Sequence, residues 1–145
     1  MRLVVALGGN ALLKRDEPAD LQTQRVHLRA AVASLVPLAR RHGLLLTHGN
    51  GPQVGLLALQ AAAYQEGPAV PLDVLGAESE GMIGYLLEQE LRSALPGREV
   101  AALLTQVEVD PDDPAFREPT KPIGPIYPPS EGERLGRERG WAMVR

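Results

Sequence analysis

Two glycine turns carry the chemistry open to this sequence. His48-Gly49-Asn50-Gly51-Pro52-Gln53-Val54-Gly55 follows the apolar run Leu44–Leu46 and leads into the helical pattern of Leu56 to Tyr64. Gly8-Gly9-Asn10 stands in the same way between the apolar Leu3–Leu7 and Ala11-Leu12-Leu13. A strand that empties through glycines into a helix presents unobstructed backbone N–H groups where the helix dipole is positive, which suits an anion. Two such turns point to two anionic groups handled together, and so to transfer of a group between them. Neither fits the phosphate loop G-x-x-x-x-G-K-[ST] or the dinucleotide pattern G-x-G-x-x-G. The alternative for Asn50-Gly51 is a tight connection needing positive φ. The eight-residue string holds more than a turn needs, however, with two glycines around an Asn and Pro52 placed to open a helix.

The other candidates divide quickly. Lys121 is locked between Thr120 and Pro122, with Gly124 and Pro125 following, so the backbone beneath its flexible stem is stiff. Lys14 and Arg15 read as solvated charges, and His27 and His42 as surface residues on a polar helix face. His48 ends a strand beside a glycine turn. It is either a general base or, the preferred reading, a ring whose hydrogen bond holds Gly49-Asn50-Gly51. Asp110-Pro111-Asp112-Asp113 lacks the later Gly and Glu of a calcium loop and reads as the start of a turn, so no metal site is expected.

Alternating elements must position these residues. Leu3–Leu7 and Leu44–Thr47 are short apolar runs, the pattern of strands buried on both faces. Asp20 can cap a long helix over Leu21 to Arg41, with Leu28, Val32, Leu35 and Val36 on one face, Gly43 just past its end and a bend expected at Pro37. Pro52–Tyr64 and Asp73–Leu95 read as further helices. The second carries Gly76, Gly81 and Gly84, which requires either a close neighbour on that face or a helix that begins after the first of them. Val100–Val109 reads as a long strand. The order strand–helix–strand–helix–strand predicts βαβ units and a mainly parallel sheet.

Beyond Asp110 the character changes. Seven of the 13 prolines fall between Pro111 and Pro129, which excludes a sheet centre or a helix there. Phe116, Ile123, Ile126 and Tyr127 are more apolar than a flexible linker needs. Ser130 is placed to cap a short charged helix to Arg139, and Trp141 to Val144 reads as a returning strand. With 145 residues and 44% hydrophobic side chains the chain can bury a core of its own, built on Leu, Val and Ala. A net charge of −3 gives no electrostatic reason to bind nucleic acid or an anionic membrane. The absence of cysteine excludes disulfides and thiolate chemistry. No signal-peptide core or membrane-length apolar run is present, so a soluble cytoplasmic protein is expected.

Val4-Val5-Ala6-Leu7-Gly8-Gly9-Asn10-Ala11, Thr47 to Gly55, and Pro119-Thr120-Lys121-Pro122-Ile123-Gly124-Pro125 resemble three signature stretches of the carbamate kinases, within the amino-acid-kinase superfamily. Pro71-Leu72-Asp73, Gly81-Met82-Ile83-Gly84-Tyr85 and Leu104 to Asp110 resemble the same family in the same order. The resemblance covers nearly the whole chain but only the N-terminal half of a family member. It implies an α/β fold, a three-layer αβα sandwich around a mainly parallel sheet, with a Pro-rich protruding lid. Residues 1–109 would form the carbamate- and phosphoryl-binding domain and 110–140 the lid. Residues 141–145 would begin a returning strand, with the nucleotide-binding half outside this chain.

The implied reaction is reversible phosphoryl transfer between ATP and carbamate, giving ADP and carbamoyl phosphate, a step of arginine metabolism. By that resemblance Gly49, Asn50 and Gly51 hold the carbamate, while Gly8, Gly9 and Asn10 cradle the transferred phosphoryl. Many amino-acid kinases take a charge-offsetting lysine from the first strand, where this chain has Ala6. Lys121 of the lid resembles the supplier of that charge. ATP or ADP would bring Mg²⁺ with it, and the expected partner is a second copy in a homodimer or a complementing C-terminal half. The chain alone is expected to be inactive. The alternatives are a superfamily kinase acting on another carboxylate or phosphonate, or a non-catalytic anion-binding module.

Overall fold

The computed structural model describes residues 1–14, 17, 18, 20–64, 70–124 and 126–143, apart from the side chain of Asn10. Arg15, Pro125 and Val144, which carry some of the expectations above, lie outside the described residues. Strand β1 (Arg2–Leu7) runs into a short 3-10 turn (Gly9–Ala11), and helix α1 (Leu21–Arg41) leads to strand β2 (Gly43–His48). Helices α2 (Gly51–Tyr64) and α3 (Leu72–Ala94) follow, then a 3-10 turn at Pro114–Phe116 and helix α4 (Pro129–Arg139). The strands pair in parallel, with Leu3 opposite Leu44 and Leu7 opposite His48. The fold is α/β, as expected.

Helix α1 begins where Asp20 predicts, its carboxylate accepting from the Thr23 N–H at 2.8 Å. It continues through Pro37 to Arg41. Its C-cap, His42, is extended (φ −137°), so Gly43 is not a left-handed stop but the first residue of β2. Leu28, Val32 and Ala39 of α1 meet Ile83, Leu86, Leu87 and Leu91 of α3, and Leu7 and Leu12 join them in one core. Burial of each such leucine stabilises the fold by about 1.5–3 kcal/mol relative to exposure. Above the core, Arg29 Nε reaches Glu90 Oε1 at 3.1 Å and Arg25 donates to Gln89 Oε1 at 3.1 Å.

Four expectations need correction. The strands are buried on one face only. Leu3, Val5 and Leu7, with Leu44 and Leu46, turn inward, whereas Val4 and Leu45 are 70% and 57% exposed. Among the described residues no helix covers that second face, so the apolar run reflects composition and not two-sided burial. Val100–Val109 forms no strand. A strand needs a ladder partner, and this segment is held by a side chain instead, the Thr105 N–H donating to Glu80 Oε2 at 2.9 Å. Helix α4 starts two residues earlier than expected, with Pro128 as N-cap in place of Ser130 and no side-chain cap, so Ser130 lies within it. Residues 141–143 form no returning strand, and Trp141 lies 5.5 Å from the Arg139 guanidinium.

A close neighbour accounts for only one glycine of α3, Gly84; a methyl on Gly76 or Gly81 would meet nothing within 4 Å. All three lie inside the helix, and a methyl group on Gly84 would come within 3.0 Å of Ala102 Cβ. Asp110 does start a turn, accepting from the Asp112 N–H at 2.9 Å.

Candidate functional site

Parallel pairing of β1 and β2 brings both strand ends to the same edge, so the two glycine turns emerge side by side. The Gly49 N–H donates to Leu7 O at 3.1 Å, which ties the second turn to the end of β1. A methyl group on Gly49 would lie 3.8 Å from Gly9 N, and one on Gly9 3.9 Å from Pro52 Cδ. Gly8, Gly9, Gly49, Asn50 and Gly51 are therefore brought together at the carboxyl ends of the strands, where open α/β sheets bind ligands. Asn10 lies in the same 3-10 turn by its backbone.

None of these glycines has positive φ, so the tight-turn alternative for Asn50-Gly51 is set aside. Nor does the chain crowd them all. A methyl on Gly8 or Gly51 would meet nothing within 4 Å. These two glycines answer neither a backbone twist nor an internal contact; they leave open space in front of the main chain. Among the described residues, the N–H groups of Gly8, Gly9 and Gly51 donate to no acceptor in the chain. The edge thus offers free donors at the N-terminus of α2 and at the first turn, facing a gap a side chain would have filled.

Behind the second turn lies a polar layer. Asn50 Nδ2 donates to Ser79 Oγ at 2.7 Å, and that hydroxyl donates to Gly76 O at 2.7 Å. Gln53 Nε2 donates to Gln24 Oε1 at 3.3 Å, while Gln53 Oε1 is buried without a partner. Ser79, Gln53 and Gln24 are almost fully buried. Sequence reasoning gave no role to any of them. The signal was present: Gln24 precedes Leu28 by four residues and Ser79 precedes Ile83 by four, so polar side chains interrupt apolar helical stripes. Polar groups placed on a buried face must be hydrogen-bonded, which marks them as parts of a built network.

Lys121 is exposed, and among the described residues it makes no hydrogen bond or ion pair. Its neighbour Gly124 does approach the site. At φ +95° it presents bare backbone to Gly55 of α2, so closely that a methyl on Gly55 would lie 2.9 Å from Gly124 N. The Pro-rich segment therefore crosses α2 one turn beyond Gly51, three residues after Lys121.

His48 Nδ1 sits 3.1 Å from Gly49 O, a contact that holds the ring against the turn. His27 and His42 are half-buried and not on the surface as expected. His27 pairs with Glu17, and His42 Nδ1 is buried without a partner. Burial pushes the Glu17 carboxyl up, but the hydrogen bond from His27, the Lys14 N–H and both neighbouring charges outweigh it and leave the group below its ordinary range. Lys14 is exposed, 4.0 Å from Glu17. Among the described residues no three His, Asp or Glu side chains gather in a way that would hold a metal ion. Among the described residues no helix is long and apolar enough to cross a membrane.

No protein-family model matches the chain. The carbamate kinase of Rhizobium meliloti is 56% identical over 144 residues, which is 99% of this chain and 44% of that protein. The carbamate kinase of Giardia lamblia bound to citric acid superposes with a TM-score of 0.87 at 38% identity, covering 99% of this chain and 48% of that one. The same enzyme bound to AMP-PNP superposes with a TM-score of 0.75 at 39% identity, covering 99% and 48%. The chain spans about half the length of the relatives it matches. Sequence and fold agree along that span: the chain is a homologue of the carbamate kinases, matching about half of a family member.

Proposed function

We propose that this chain supplies the carbamate-binding and phosphoryl-cradling part of a carbamate kinase, which transfers the γ-phosphoryl group of ATP to carbamate and runs the same step in reverse. A carbamate oxygen forms a bond to the γ-phosphorus as the bond to the ADP oxygen breaks. Carbamate is already an anion, so no proton moves, and His48 has no base to serve as. Gly49, Asn50 and Gly51 receive carbamate at the start of α2. Gly8, Gly9 and Asn10 take the transferred phosphoryl, and residues 110–140 form the lid that carries Lys121 to it as a compact positive charge. Catalysis on this plan is positioning and charge stabilisation.

The observation that carries the reading is the pair of abutting glycine turns whose free N–H groups face open space. Binding of AMP-PNP by the Giardia carbamate kinase supports ATP as the donor. The described residues offer no donor set for Mg²⁺; the ion would arrive with the nucleotide phosphates. The adenine pocket is assigned to residues beyond this chain, supplied by a continuing polypeptide or a partner. A homodimer acting in the cytoplasm is the setting this reading implies.

The test is ATP formation from ADP by the product of the complete reading frame that contains these residues, with carbamoyl phosphate or acetyl phosphate as donor. Carbamoyl phosphate should be strongly preferred, and the 145-residue chain alone should stay at background. Equal rates with acetyl phosphate, or none with either, would overturn the assignment.

A further inference from the structure

Asparagine at the start of a helix ordinarily turns its side-chain oxygen onto the N–H groups of the first turn. Asn50 holds that place in α2, since its carbonyl accepts from the Val54 N–H at 2.9 Å. Its side chain does something else. The amide nitrogen donates to Ser79 Oγ at 2.7 Å, and among the described residues Asn50 Oδ1 accepts no hydrogen bond. Ser79 is completely buried, and its own proton is committed to Gly76 O at 2.7 Å. The hydroxyl therefore has only an acceptor lone pair to present to Asn50. This fixes which end of the Asn50 amide faces Ser79, because a hydroxyl whose proton is already used attracts N–H and repels C=O.

We propose that Ser79 is a positioning residue: it draws the Asn50 side chain off the end of α2 and so keeps the first backbone N–H groups of that helix free for the anionic substrate. The inference rests on the reading of Gly49-Asn50-Gly51 as the carbamate turn. Without Ser79 the Asn50 side chain is released to cap its own helix, and Oδ1 then competes with the substrate for the Gln53 N–H. Loss of Ser79 should accordingly weaken carbamate binding while leaving the nucleotide alone. The helix gains an internal cap in exchange, so its stability should change little at that end. A purely structural Ser79 would lower stability and move both substrates' constants together.

The experiment compares Ser79→Ala, Asn50→Ala and the double variant in the product of the complete reading frame. KM for carbamoyl phosphate, KM for ADP, kcat and thermal midpoint are read for each. Ser79→Ala should raise KM for carbamoyl phosphate roughly tenfold, the scale of one buried hydrogen bond, with KM for ADP unchanged. In the Asn50→Ala background Ser79→Ala should add less than about a twofold effect, because the residue acts through Asn50. Independent effects that multiply, or equal rises in both KM values, would overturn the proposal.

A second readout needs no activity. In the unsubstituted protein the Asn50 side-chain amide protons should exchange slowly with solvent, and in Ser79→Ala the Gln53 amide resonance should shift as Asn50 caps it. Fast exchange of the Asn50 amide in the unsubstituted protein would refute the contact even if Ser79→Ala fails to fold. If the amide is protected but carbamoyl phosphate is not a substrate, the substrate reading fails and the positioning of Asn50 stands.

Discussion

Alanine at position 55 sets two physical effects against each other. Gly55 lies inside α2, and in an open helix the change to alanine is worth roughly 1 kcal/mol of added stability. Here the new methyl would come to 2.9 Å from Gly124 N and 3.0 Å from Gly124 Cα. Both are main-chain atoms, so no side chain can rotate out of the way. The crossing segment must retreat by about half an ångström or leave the helix, and overpacking of that kind costs typically about 1–3 kcal/mol. The net expectation is a loss of up to ~2 kcal/mol, opposite in sign to helix propensity alone. Gly81 is the control: it is also inside a helix, but a methyl there meets nothing within 4 Å. Gly81→Ala should stabilise by about 0.5–1 kcal/mol. Urea unfolding of both variants gives the signs, and the amide resonances of Ile123 and Gly124 report whether the segment has moved. Equal stabilisation of both variants, with Ile123 and Gly124 unmoved, would refute the packing of this segment on α2.

Lys121→Ala in the product of the complete reading frame should lower kcat by roughly 10²–10³-fold, the loss expected for one electrostatic donor; more than half the original rate in a kinetic assay would remove Lys121 from the mechanism. Gly51→Ala should weaken carbamoyl phosphate binding with little change in melting temperature, because its methyl occupies open space and not a packed contact; a large fall in melting temperature with normal binding would return the turn to a structural role. The backbone N–H of Thr23 holds the Asp20 carboxyl below its ordinary range. Its contribution to stability is therefore fully present above the ordinary carboxylate pKa and fades as pH falls through the lowered folded value. Thermal melts should show Asp20→Ala less stable than the unsubstituted chain at neutral pH and equal to it in strong acid, with Asp20→Asn retaining the cap and losing the pH dependence.

Local patterns in the sequence were enough for helices α1, α2 and α3 and the first two strands, though not for the start of α4, where Ser130 is no cap. Asp20 followed by an apolar stripe dictates where α1 begins, and glycines between an apolar run and a helical pattern dictate where the two turns lie, because caps and turns are satisfied by near neighbours. The same logic failed for Val100–Val109, since pairing depends on a neighbour that the sequence of the segment does not name; here the side chain of Glu80 takes that place. It failed for the outer faces of β1 and β2, where Val4 and Leu45 are apolar whether or not anything covers them. The motifs resembling carbamate kinases pointed to that family, and the similarity along the chain agrees. Only the tertiary structure set the two glycine turns against each other, through a parallel register no single segment encodes. It alone supplied Ser79, 29 residues from Asn50, because a buried hydroxyl acquires its role from what the fold brings within hydrogen-bonding distance.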